Sequence, residues 1–73
     1  KMGGVFVDTI KRVQDLMQAR DMNLFVLAKK CGISYSTIQT TARRGGQLSV
    51  ETIERICLGL EITLKDFFDS SYL

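Results

Sequence analysis

Apolar residues recur along this chain at helical spacing and fall into five short stretches divided by polar or glycine-containing turns. The first stretch runs from about Asp8 to Arg20. Ile10, Val13 and Met17, with Leu16 beside them, make its apolar face, while Lys11, Arg12, Asp15 and Gln18 take the other side. Asp8 is a suitable N-cap, and Val5-Phe6-Val7 could form a separate preceding turn. Asn23 caps a second stretch, Leu24 to Cys31, which Gly32 ends as a left-handed residue. Ser34 caps a third, Tyr35 to Ala42, followed by a loop Arg43-Arg44-Gly45-Gly46-Gln47.

Ser49 caps the fourth stretch, with Glu51 in its first turn and a stripe of Val50, Ile53, Cys57 and Leu60 joined by Ile56. Thr63-Leu64-Lys65-Asp66 has the form of a capping box opening a last short helix, and one of Phe67 and Phe68 is expected to plug the core. Strand signals are nearly absent. The pattern predicts an all-α fold of five helices.

At 73 residues the chain suits one small domain, assigned here to 8–69. Residues 1–7 read as an N-terminal extension or cloning remnant, and 70–73 as a tail. A domain of this size buries only about 60% of its unfolded surface, so most apolar residues are needed in the core. Leu24-Phe25-Val26 are consecutive and lie on different sides of a helix, so one of them is expected to stay exposed. The longest apolar run, Leu24 to Ala28, is far short of the roughly 20 residues that span a bilayer.

Cys31 and Cys57 fall on apolar faces and read as small buried core residues, which implies a reducing, cytoplasmic compartment. With no histidine and no CxxC pair, no metal site is expected. The sequence also lacks a carboxylate pair in a plausible pocket and a phosphate-binding glycine loop, so neither an enzyme nor a cofactor is expected.

Charge is unevenly spread. Residues 1–44 hold eight Lys/Arg against three Asp/Glu, whereas 45–73 hold two against five. Any polyanion would meet the first half.

The window Leu24 to Arg43 narrows the reading further. Leu27 is apolar, Ala28 small, Cys31 apolar, Gly32 a glycine, and Ile33 and Ile38 apolar again. Two helices crossing steeply through a short turn need a small residue where they approach and a residue tolerant of positive φ in the turn. Ala28 and Gly32 fit those places, and Ile33 and Ile38 would pin the following helix while leaving its other face free.

Leu27-Ala28-Lys29-Lys30-Cys31-Gly32-Ile33-Ser34, then Ser36-Thr37-Ile38, resembles the phage-repressor-like (Cro/repressor, XRE) helix-turn-helix family. The resemblance continues through Leu48 to Cys57 and Leu60 to Phe68, so it covers about Ile10 to Asp69. It implies a five-helix repressor-like bundle whose third helix reads DNA. On that basis Tyr35, Ser36, Gln39 and Thr40 are the expected base contacts, and Lys29, Lys30, Thr37, Arg43 and Arg44 the expected phosphate contacts.

The chain departs from the family pattern in several places. Leu24 stands where the second helix often begins with Gln, followed by apolar Phe25 and Val26; Ala42-Arg43-Arg44 stands where Glu-Arg-Gly is common, with the glycines one step later; and Thr41 replaces an apolar core residue. The implied function is sequence-specific binding to double-stranded DNA as a homodimeric repressor. The dimer surface is expected at Phe67, Phe68, Tyr72 and Leu73. The alternative is a protein-interaction module of the same fold that does not read DNA.

Overall fold

The computed structural model describes residues 8–69, and five helices hold most of them: α1 (Thr9–Ala19), α2 (Leu24–Cys31), α3 (Tyr35–Arg44), α4 (Val50–Leu60) and α5 (Leu64–Phe67). No strand occurs among the described residues. The expected turn at Val5-Phe6-Val7, the extension and tail, and Tyr72 and Leu73 lie outside them.

The helix starts sit where side-chain caps dictate. The Asp8, Asn23, Ser34, Ser49 and Thr63 oxygens each accept the backbone N–H three residues on, satisfying donors that a helix start leaves orphaned. Asp66 returns the favour to the Thr63 N–H, completing the capping box. Gly32 and Gly45 end α2 and α3 with φ of 67° and 71°. Glu61 ends α4 in the same left-handed region at φ 59°, where a glycine is more usual.

The core gathers Val13 and Leu16 of α1, Leu27 and Cys31 of α2, Leu48, then Ile53, Ile56, Cys57 and Leu60 of α4, and Phe67 of α5. Ile10, Met17, Met22, Leu24, Ile33 and Ile62 pack around it, half-buried. Phe67 is the plug: its ring is fully buried, and Phe68 stays outside with its ring edge-on to Phe67 at 5.0 Å. Full burial of one such side chain is worth about 1.5–3 kcal/mol. Both cysteines are free and buried.

Four expectations are corrected. Arg43 and Arg44 belong to the last turn of α3 and not to a loop, because the left-handed residue that ends the helix is Gly45, whose N–H bonds back to Ala42 and Thr41. Val50 is 69% exposed and not part of the α4 stripe. Helical side chains lean over the preceding turn, and Val50, as the first residue of α4, has none to cover. Both Phe25 and Val26 are exposed, where one exposed residue was expected; of that trio only Leu24 reaches the core. Phe67, buried as it is, offers no surface to a second copy.

Arg12 and Thr9 add ties that periodicity did not foresee. The Arg12 guanidinium, expected to face solvent, donates to the Phe67 and Asp66 carbonyls at the end of α5. The buried Thr9 hydroxyl donates to Gln47 Oε1 at 2.7 Å and accepts the Leu48 N–H at 2.9 Å, fastening the α3–α4 connection to the start of α1.

Candidate nucleic-acid interface

Helices α2 and α3, joined by Gly32-Ile33-Ser34, form a helix-turn-helix. The turn is closed by one acceptor: the Ala28 carbonyl receives the N–H of both Gly32 and Ile33. Ala28 is itself buried, consistent with the small residue required where the two helices meet. Arg55 of α4 braces the turn from behind, donating to the Gly32 carbonyl at 3.1 Å and pairing with Glu51 at 3.2 Å. Arg55 carried no signal in the local sequence; only its position against the turn gives it this task.

Ile38 is buried, and its burial orients α3. With Ile38 turned inward, Tyr35, Ser36, Thr37 and Gln39 are left exposed, with Thr40 half-buried beside them. Thr41 is half-buried too, and its hydroxyl donates to the Thr37 carbonyl at 2.9 Å. That internal bond satisfies a polar group at a position where the family pattern has an apolar one.

Among the expected base contacts, Tyr35 and Gln39 are brought together: Gln39 Nε2 donates to the Tyr35 hydroxyl at 3.2 Å. The Tyr35 ring lies edge-on to Phe25 of α2, with centroids 5.5 Å apart and planes at 72°. The Ser36 hydroxyl lies 3.0 Å from that of Ser34, at the capped start of the helix. Phe25 is the residue of this surface that sequence reasoning did not assign to it. Its signal was present as an apolar side chain with no core position left to fill.

The basic residues expected at phosphates close the two helices of the motif. Lys29 and Lys30 are exposed in the last turn of α2, and Arg43 and Arg44 in the last turn of α3. Cations at helix C-termini are favoured by the helix dipole. Among the described residues none of the four forms an ion pair. Thr37 is exposed, its N–H committed to the Ser34 cap and its carbonyl to Thr41. Among the described residues no group of three or more Cys, Asp or Glu could hold a metal ion, and no helix is long and apolar enough to cross a membrane.

An aromatic and amide face on α3, with four cations exposed at the ends of α2 and α3, suits a polyanion that carries hydrogen-bonding edges. Comparison with known families agrees: the model of the Cro/C1-type HTH DNA-binding domain matches residues 12–70, from the first helix to just beyond the last. Searches among curated proteins and among solved structures return no match. With that match spanning most of its length, the chain belongs to the Cro/C1-type helix-turn-helix DNA-binding domain family.

Proposed function

We propose that this chain binds double-stranded DNA sequence-specifically, with α3 in the major groove, and represses transcription by occupying promoter DNA. The observation that carries the reading is the division of α3. Ile38 is buried while Tyr35, Ser36 and Gln39 stand exposed, and two pairs of exposed cations without an ion pair among the described residues close α2 and α3. Gln39 offers an amide suited to adenine, and Tyr35, Ser36 and Thr40 offer hydroxyls that accept or donate. Lys29, Lys30, Thr37, Arg43 and Arg44 supply the phosphate contacts that set register.

A module of this size buries too little surface for tight binding alone, so two copies are expected on the operator, their α3 helices about one helical turn of DNA apart. Action on promoter DNA implies the cytoplasm as its site of work.

The exposure of Phe25 and Val26 favours a second reading, a protein-interaction module on the same fold. Selection of bound sequences from a random duplex library, followed by titration at low salt, separates the two. Enrichment of a paired motif with fixed half-site spacing is the expected result. No binding to any duplex at micromolar protein, with helices intact by circular dichroism, would refute DNA reading.

A further inference from the structure

We propose that Phe25 is a positioning residue for base reading, acting through Tyr35 to fix the amide of Gln39. The proposal rests on the reading of α3 as the helix that meets base edges.

The observations form a connected series across the two helices of the motif. Phe25 sits in the first turn of α2, 67% exposed and outside the core. Its ring meets Tyr35 edge-on at 5.5 Å, in the geometry that the aromatic quadrupole favours. The Tyr35 hydroxyl in turn accepts from Gln39 Nε2, one turn further along α3. An exposed ring with no core to fill is thus the outer support of the one side-chain pair linking two expected base readers.

The hydrogen-bond arithmetic gives this support a consequence. A glutamine amide has two N–H donors and one acceptor oxygen. One donor is used on Tyr35; the other donor and Oε1 remain, and these are the pair that a bidentate contact with adenine requires. In the structure the Tyr35 hydroxyl accepts from Nε2, which leaves Oε1 without a bond to Tyr35. A free glutamine on a helix surface samples many rotamers and loses that freedom on binding. Holding it beforehand shifts binding toward the base that matches the held orientation. The Tyr35 ring can do the holding only if it stands still, and Phe25 is what its edge-on contact leans on.

Two measurements test this, on the free protein and on DNA. In the free protein, NMR contacts between the Gln39 side-chain amide and the Tyr35 ring are expected in the wild type and in Phe25→Tyr. They are expected to vanish in Phe25→Ala and Phe25→Leu, although all three variants fold because the ring is exposed. On DNA, the ratio of affinity for the selected duplex to affinity for random duplex is expected to fall about two- to tenfold in Phe25→Ala, the range for one edge-to-face pair. Affinity for random duplex should stay unchanged, and Phe25→Ala should add nothing further once Gln39→Ala is present.

Persistence of the Gln39–Tyr35 contacts in Phe25→Ala overturns the positioning, whatever the DNA result. An equal loss for selected and random duplex, or losses that multiply in the double variant, overturns the role in base choice. A wild-type chain that enriches no sequence refutes base reading and the role of Phe25 in it, while the NMR contacts still decide whether Phe25 holds Tyr35 and Gln39.

Discussion

A side-chain carbon placed on Gly59 would fall 2.4 Å from Cys31 Sγ and 3.0 Å from Cys31 Cα. Helix α4 therefore approaches the end of α2 at a position where only hydrogen fits. Because α2 packs chiefly on α4, this approach sets the seat of the leading helix of the motif and, through the Gly32 turn, the direction of α3.

Alanine in place of glycine inside a helix ordinarily stabilises by about 1 kcal/mol. Here the sign should reverse, and Gly59→Ala is expected to destabilise by about 1–3 kcal/mol through overpacking. In a domain this small that lowers Tm by about 4–8 °C per kcal/mol, which a thermal melt followed by circular dichroism would register. Adding Cys31→Ala should recover part of the loss and not all, because the backbone of Cys31 remains too close. A rise in Tm for Gly59→Ala would contradict the close approach.

Thr9→Val replaces the buried hydroxyl by a methyl group of the same shape. It strands the Leu48 N–H and removes one of the two donors to Gln47 Oε1, the other being the Thr9 N–H. An unsatisfied buried donor costs about 1–3 kcal/mol. Urea denaturation should show the midpoint falling without a change in slope. Gln47→Ala keeps the buried Leu48 bond and removes an exposed side chain, so water can reach the two part-buried Thr9 donors it strands, and it should cost less than Thr9→Val.

Burial raises the pKa of the Cys31 thiol, with Lys30 opposing and Cys57 adding to the rise; burial also raises Cys57, helped by the negative charges of Asp66 and Glu54. The folded state thus holds these protons more tightly than the unfolded chain. Stability from this source is complete below the ordinary thiol pKa and is lost as pH climbs through the raised, folded-state values. Between about pH 8 and 10 the urea midpoint of the wild type should fall more steeply than that of Cys31→Ala/Cys57→Ala. Parallel curves for the two proteins would rule the thiols out.

Arg43 and Arg44 each stand exposed at the end of α3. Each phosphate contact contributes about 0.9 to the slope of log affinity against log salt on duplex DNA. Arg43→Ala should therefore flatten that slope by about one unit and weaken binding to all sequences alike. Gln39→Ala should leave the slope alone and relax the choice at a single base position. Titrations at several salt concentrations read both effects, and an unchanged slope in both Arg43→Ala and Arg44→Ala would remove these residues from the backbone contacts.

The helices and most of their ends are written in short stretches of sequence. Each N-cap acts on an N–H three residues away, and Gly32 and Gly45 close their helices through bonds to carbonyls within the preceding turn. Such interactions are complete within a few residues of chain, so they are legible before any fold exists. The helix-turn-helix is legible in the spacing of Leu27, Ala28, Cys31, Gly32, Ile33 and Ile38, whereas the α3 residues expected at the bases follow from the resemblance to the repressor-like family. The one misplaced boundary, at Arg43 and Arg44, followed from ending α3 two residues before its glycine.

Which partners meet across the chain depends on how the helices pack. Arg12 reaches the end of α5, Thr9 meets Gln47, Arg55 braces the Gly32 turn and Gly59 admits Cys31, over separations that no helical period encodes. The candidate interface depends on the same kind of knowledge. Phe25 looked like a surplus apolar residue in sequence, and it gained a place only when α2 and α3 were folded against each other and its ring met Tyr35. Local backbone chemistry fixes where a helix starts and stops, whereas the crossing of two helices fixes what its surface can hold still.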